Sequence, residues 1–114
     1  MSVGRMAALP MYDFPNVVDA HDALWTEIAK RLRDAGVEGV PASLTRDLDF
    51  VASWRHPSLL LGQACEFPLA KFHADDVRLV ATPRYTAEGC EGFRYRSLIV
   101  VRRGDPVRSL ADLR

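Results

Sequence analysis

Cysteine and histidine are scarce in this 114-residue chain, with two of the first and three of the second. Cys65 and Cys90 alone cannot complete the usual four-ligand zinc site. His21, His56 and His73 are scattered, with no C-x2-C or H-x3-H spacing. The pattern therefore argues against a metal site. The two thiols read as small half-buried hydrophobes, and an oxidising compartment or a redox role would pair Cys65 with Cys90 as a disulfide. Net charge is also missing, because 15 basic residues balance 15 acidic ones. A nucleic-acid binder normally carries a basic face to offset phosphates, and a membrane-surface helix is rich in Lys and Arg. No apolar run approaches the roughly 20 residues that span a bilayer. A secretory signal is lacking as well: the apolar start is broken by Arg5 and Pro10, and Asp13 follows. As written, the chain is expected in the cytoplasm; an incomplete N-terminus would make it periplasmic. Internal repeats and low-complexity segments are absent.

What is present is enough apolar residue, 48%, for the core of one domain. The stretch LLLGQACEFP, residues 59–68, organises the reading. Residues 59–61 form a wholly apolar strand that stops at Gly62. Gln63 and Cys65 follow at its end, and a helix starts around 66–68. A strand that ends in a small-residue turn and opens a helix presents free backbone N–H groups at a sheet edge, which suits an anion or polar ligand.

The rest of the chain alternates. Residues 5–9 read as a first strand, apolar on both faces as a buried parallel strand should be. Pro15 or Asn16 starts a helix that runs to about Ala35 and is closed by Gly36. Val17, Val18, Ala20, Leu24, Trp25, Ile28, Ala29 and Leu32 recur at steps of three and four and make its apolar face. A short edge strand is expected over 42–44. A second helix is expected over 47–54, capped by Thr45 or Asp47, burying Leu48, Val51, Ala52 and Trp54, and ending at His56-Pro57. Residues 67–72 give one or two helical turns. Strands are expected over 77–82 and 95–102, joined by a polar loop. Gly104-Asp105-Pro106 turns the chain, and a helical turn starts at Ser109. The order β-α-(β)-α-β-α-β-β predicts an α/β three-layer sandwich, a mainly parallel sheet with helices on both faces.

Four segments carry a resemblance to a known family: MAALPMYDFP, LLLGQACEFPL, VRLVATPRY with GCEGFRYRSLIVVR after it, and DPVRSLADLR. Together they resemble the first lobe of the phosphate/phosphite/phosphonate ABC-transporter substrate-binding family, of the type 2 periplasmic-binding-protein-like fold. The most specific is the Ser-Leu-x-Asp-Leu phrase from Ser109, which in that family leads into a second α/β lobe. The resemblance spans Arg5 to Arg114 and implies a small anionic ligand of the phosphate or phosphonate kind, with no cofactor. It also implies an ABC permease as partner if the chain is exported. The family's second lobe and export signal are not in the sequence as written. The alternative is therefore a truncated or cytoplasmic relative that acts as an interaction or oligomerisation module, a homodimer for example.

Open parallel sheets bind ligands at the carboxyl ends of their strands. That rule selects Tyr12 after the first strand, Gln63 and Cys65 after the strand over 59–61, and Thr82, with Tyr85 near it, after the strand from Val77. Tyr95 and Ser97 join them if the last strand runs antiparallel. Gln63 offers both a donor and an acceptor; Tyr12 and Tyr95 offer phenolic hydroxyls and an aromatic wall; Ser97 offers a hydroxyl. Arg94 and Arg96 flank Tyr95 and can pair with an anion, although solvated arginines are the commoner case. Cys65 at a helix start would be an activated nucleophile only beside a base, and no local motif supplies one. The chain is accordingly read as non-catalytic. Trp25 and Trp54 are read as core.

Overall fold

Met6–Ala8 forms β1, and all three of its residues are buried. The computed structural model describes residues 4–72 and 74–113; His73, one of the scattered histidines, lies outside them. The chain divides into two units, Met1–Arg78 and Leu79–Arg114.

In the first unit, β1 pairs in parallel with β2, Leu59–Gly62. Met6 faces Leu59, Ala7 faces Leu61 and Ala8 faces Gly62, with an irregularity between Met6 and Ala7. The bonding extends past both strand ends: Met6 N–H donates to Ser58 O at 2.8 Å and Gln63 N–H to Ala8 O at 3.1 Å. On the other side of β1, Thr45 N–H donates to Ala7 O at 2.8 Å. The edge strand expected over 42–44 is thus reduced to a single backbone bond, with Leu44 buried beside it.

The predicted long helix is α1, Val18–Asp34, entered through a 3-10 turn over Pro15–Val17. Pro15 opens that turn as expected, but Asn16 lies inside it and no side chain caps either start. The exit is a two-bond motif. Gly36 N–H donates to Arg33 O and Val37 N–H to Leu32 O, both at 2.9 Å, with Gly36 at φ +81°. Only a residue without Cβ takes that conformation cheaply. Trp25 and Ala29 are the buried face of α1, and Ile28 and Leu32 pack beside them against Ala7, Leu9 and Leu44. Leu24, expected on that face, is 52% exposed.

The second helix is shorter than its pattern, α2, Phe50–Trp54. Its cap is Asp49, whose carboxylate accepts from Ala52 N–H at 2.8 Å, rather than Thr45 or Asp47. Capping at Asp49 rotates the helix so that Ser53 and Trp54 are buried while Val51 and Ala52 face outward. After β2 comes α3, Glu66–Phe72.

Neither of the strands expected over 77–82 and 95–102 forms. Leu79, Val80, Leu98, Ile99 and Val100 are each more than 70% exposed. β-forming residues stabilise a strand by packing on a pleated neighbour, and no described backbone bond supplies one here. The polar connection instead folds on itself: Glu91 and Arg94 exchange both backbone bonds, at 3.0 and 2.9 Å. The predicted turn at Ser109 is a 3-10 turn over Leu110–Asp112. Asp112 accepts from Arg108 N–H at 2.9 Å, Ser109 N–H at 2.8 Å and Ser109 Oγ at 3.0 Å.

Two outcomes follow from this packing. Trp25→Ala empties a side chain that is 1% exposed, and urea denaturation should show a loss of roughly 3–5 kcal/mol; a loss below about 1 kcal/mol would place Trp25 outside the core. The bonds from Arg108 and then Ser109 hold the Asp112 carboxyl below its ordinary value. A depressed pKa stabilises the turn above the ordinary carboxylate range and loses that contribution as pH falls through the lowered value. The Arg108 and Ser109 amide resonances should therefore stay constant from pH 7 to about 5 and move only below about 4. Movement between pH 7 and 5 would contradict the assignment.

Candidate functional site

Parallel pairing of β1 and β2 sends both strands' carboxyl ends to the same edge. The two loops that leave that edge carry Met11 and Tyr12 from β1, and Gln63 and Cys65 from β2. Gln63 is held at three points. Its N–H donates to Ala8 O at 3.1 Å, its carbonyl accepts from Trp54 Nε1 at 2.9 Å, and its Oε1 accepts from Met11 N–H at 3.2 Å. The last bond decides the amide's orientation, because a backbone N–H needs an acceptor. The side-chain NH2 group is then left with no protein partner among the described residues.

Cys65 is exposed, and its Sγ lies 3.8 Å from Met11 Sδ. A thiol–thioether contact offers no base, and the Nδ1 of His56 is occupied by Ser58 N–H at 3.2 Å. Tyr12 is 41% exposed, and its carbonyl accepts from Phe14 N–H at 2.9 Å. Tyr12, Gln63 and Cys65 are thus brought to one edge, as the strand-end rule expects.

The same edge carries charge that sequence reasoning missed. Arg46 grips Asp13 with two bonds, Nε to Oδ2 at 2.5 Å and Nη2 to Oδ1 at 3.3 Å. Its Nη1 lies 2.8 Å from Asp22 Oδ1. The hydrogen bonds to Asp13, then to Asp22, raise the Arg46 pKa above its ordinary value. His21 Nδ1 is 3.2 Å from Val17 O and 3.8 Å from Asp13 Oδ1. The Asp13 side chain is only 10% exposed, so its charge depends on Arg46. The only hint of this clamp in the sequence is an acid just after a buried strand; its partner lies 33 residues away, beyond any local pattern. Because Arg46 serves two carboxylates, it adds no spare positive charge to the edge.

Thr82, Tyr95 and Ser97 belong to the second unit, where all three are exposed. An open cleft of about 400 Å³ there is lined by Gly89, Cys90, Glu91, Arg94, Tyr95 and Arg96. Neither Arg94 nor Arg96 makes an ion pair with a described residue. A second cleft, about 390 Å³, lies at the amino-terminal end of the first unit's sheet between Arg5 and Leu60. Gln63 lines neither of these. Cys90 is a half-buried free thiol and Cys65 an exposed one. Among the described residues no group of three His, Cys, Asp or Glu side chains could hold a metal ion. No helix among them is long and apolar enough to cross a membrane. Compared with protein-family models, curated proteins and solved structures, the chain matches none.

Arg46→Met should strip Asp13 of its main partner and cost about 1–3 kcal/mol in chemical denaturation. The double variant Arg46→Met/Asp13→Leu should recover most of that loss, because both halves of the pair are then gone. A loss in the double variant equal to the sum of the Arg46→Met and Asp13→Leu losses would show that the clamp carries no coupling.

Proposed function

We propose that the chain is a non-catalytic binding lobe for a small polar anion, one lobe of a three-layer α/β solute-binding protein like the family it resembles. The observation that supports this reading is Gln63. Three bonds hold it where two parallel strand ends meet, and its amide NH2 remains for a ligand. A fixed donor loses little conformational freedom on binding. Tyr12 stands next to Met11 on the facing loop and supplies a phenolic group at the same edge.

The edge holds its ligand through neutral donors rather than through a charge clamp, since Arg46 is committed to Asp13 and Asp22. Binding proteins of two lobes trap a ligand by closing around it. One lobe alone supplies part of the contacts, and its affinity is correspondingly weak. A second lobe, or a second copy, would supply the remainder, and a permease of the ABC type would receive the ligand in a transport system.

Titration of the labelled protein with inorganic phosphate, methylphosphonate and sulfate tests this reading. The Gln63 side-chain NH2 and Met11 amide resonances should move with at least one of the three and saturate near or above about 1 mM. Gln63→Glu keeps the acceptor for Met11 N–H but replaces the donor with a repelling carboxylate, and should abolish the shift. Silence of both resonances with all three anions would contradict binding at this edge. Sub-micromolar affinity in a monomer would contradict the single-lobe reading.

A further inference from the structure

Residues 89–96, GCEGFRYR, close a turn in the second unit that carries both signs of charge. Glu91 and Arg94 exchange both backbone bonds and form an antiparallel bridge. Residues opposed in that way send their side chains to the same face. Arg96 is seated against the same turn: a Cβ on Gly89 would meet Arg96 Nε at 3.2 Å and Cγ at 3.3 Å. Gly89 also has φ +85°, so a residue without Cβ both turns the chain and lets the arginine stem lie against backbone.

The charges gathered there are not spent on each other. Glu91, Arg94 and Arg96 line one cleft of about 400 Å³, and none of the three makes an ion pair with a described residue. A carboxylate and two guanidiniums thus share a space without closing it. Such a space selects a ligand by charge pattern. A multiply charged anion meets Glu91 as a repelling group, and a cation meets the two arginines. A zwitterion satisfies both: its carboxylate accepts N–H bonds from guanidinium, and its ammonium donates to the Glu91 carboxylate. Tyr95, 71% exposed, lines the same cleft and offers an aromatic face to an apolar side chain. The volume suits a small molecule, since ligand clefts start at about 300 Å³.

We propose that this cleft is a site for a small zwitterion of the α-amino-acid type. Its carboxylate lies on Arg94 and Arg96, its ammonium on Glu91 and its side chain on Tyr95. The contacts are made by exposed groups, so binding is modest and weakens with salt. The site uses no residue of the Gln63 edge and is independent of binding there.

Titration of the labelled chain with L-phenylalanine tests it, read at Arg94 and Arg96 Nε–H and at the Cys90 and Glu91 amides. These resonances should move together and saturate near about 1 mM. Phenylalanine amide lacks the carboxylate and N-acetylphenylalanine lacks the ammonium; each should bind at least about fivefold more weakly. These three probes act on the unaltered chain, so the test needs no variant to fold. Glu91→Gln should weaken phenylalanine at least about fivefold and leave N-acetylphenylalanine no weaker, a split that loss of the turn would not produce. Gly89→Ala, which displaces Arg96, should weaken both. No movement with phenylalanine at about ten times the expected saturating concentration would overturn the proposal. N-acetylphenylalanine binding as tightly as phenylalanine would overturn it too, because a plain anion site would explain that result.

Discussion

A buried strand cannot leave its backbone unpaired, and that requirement on β1 sets the rest of the first unit. Its three residues are shielded from water, so every N–H and C=O needs a protein partner. Ser58 and Gln63 supply partners on one side, and Thr45 supplies one on the other. Those bonds bring two distant stretches of chain to the same place. Arg46 comes to Asp13 because Thr45 is tied to Ala7; Gln63 comes to Met11 because its own N–H is tied to Ala8. The candidate edge is therefore a consequence of satisfying one short strand.

The contents of the edge differ in kind. The Arg46 clamp is internally neutralised on one carboxylate and shared with a second, so its chemistry is spent on holding loops together. Gln63 is neutral and anchored, with its amide nitrogen still available. A neutral donor of this kind costs less to desolvate than a bare charge. The cleft at Arg94 and Arg96 is a feature of the second unit.

Much of the first unit was legible in the sequence. The apolar run at Met6, the three- and four-residue spacing through Trp25 and Ala29, and the closing Gly36 act locally, so local patterns report them. Leu59 to Leu61 and the placement of Gln63 at a strand end were legible for the same reason. Two things were not. The grip of Arg46 on Asp13 depends on tertiary geometry across 33 residues, and helix periodicity around Asp22 says only that the residue is polar. The runs over 77–82 and 95–102 have strong β composition, but composition expresses a fit to a neighbouring strand, and no such neighbour is present among the described residues. The cap of α2 shows the same limit on a small scale: three acceptors, Thr45, Asp47 and Asp49, compete, and burial of Trp54 against β2 selects the last.

β1 stands at the centre of the first unit with backbone partners on both sides, Ser58 and Gln63 on one and Thr45 on the other. Residue-resolved native-state amide exchange tests it most directly. The N–H groups of Met6, Thr45 and Gln63 should exchange only through global unfolding, with one common protection, because each closes a bond to the strand or its flank. Exchange of Thr45 or Gln63 as fast as the unbonded amides over 98–101 would contradict the claim, and the shared edge would fall with it.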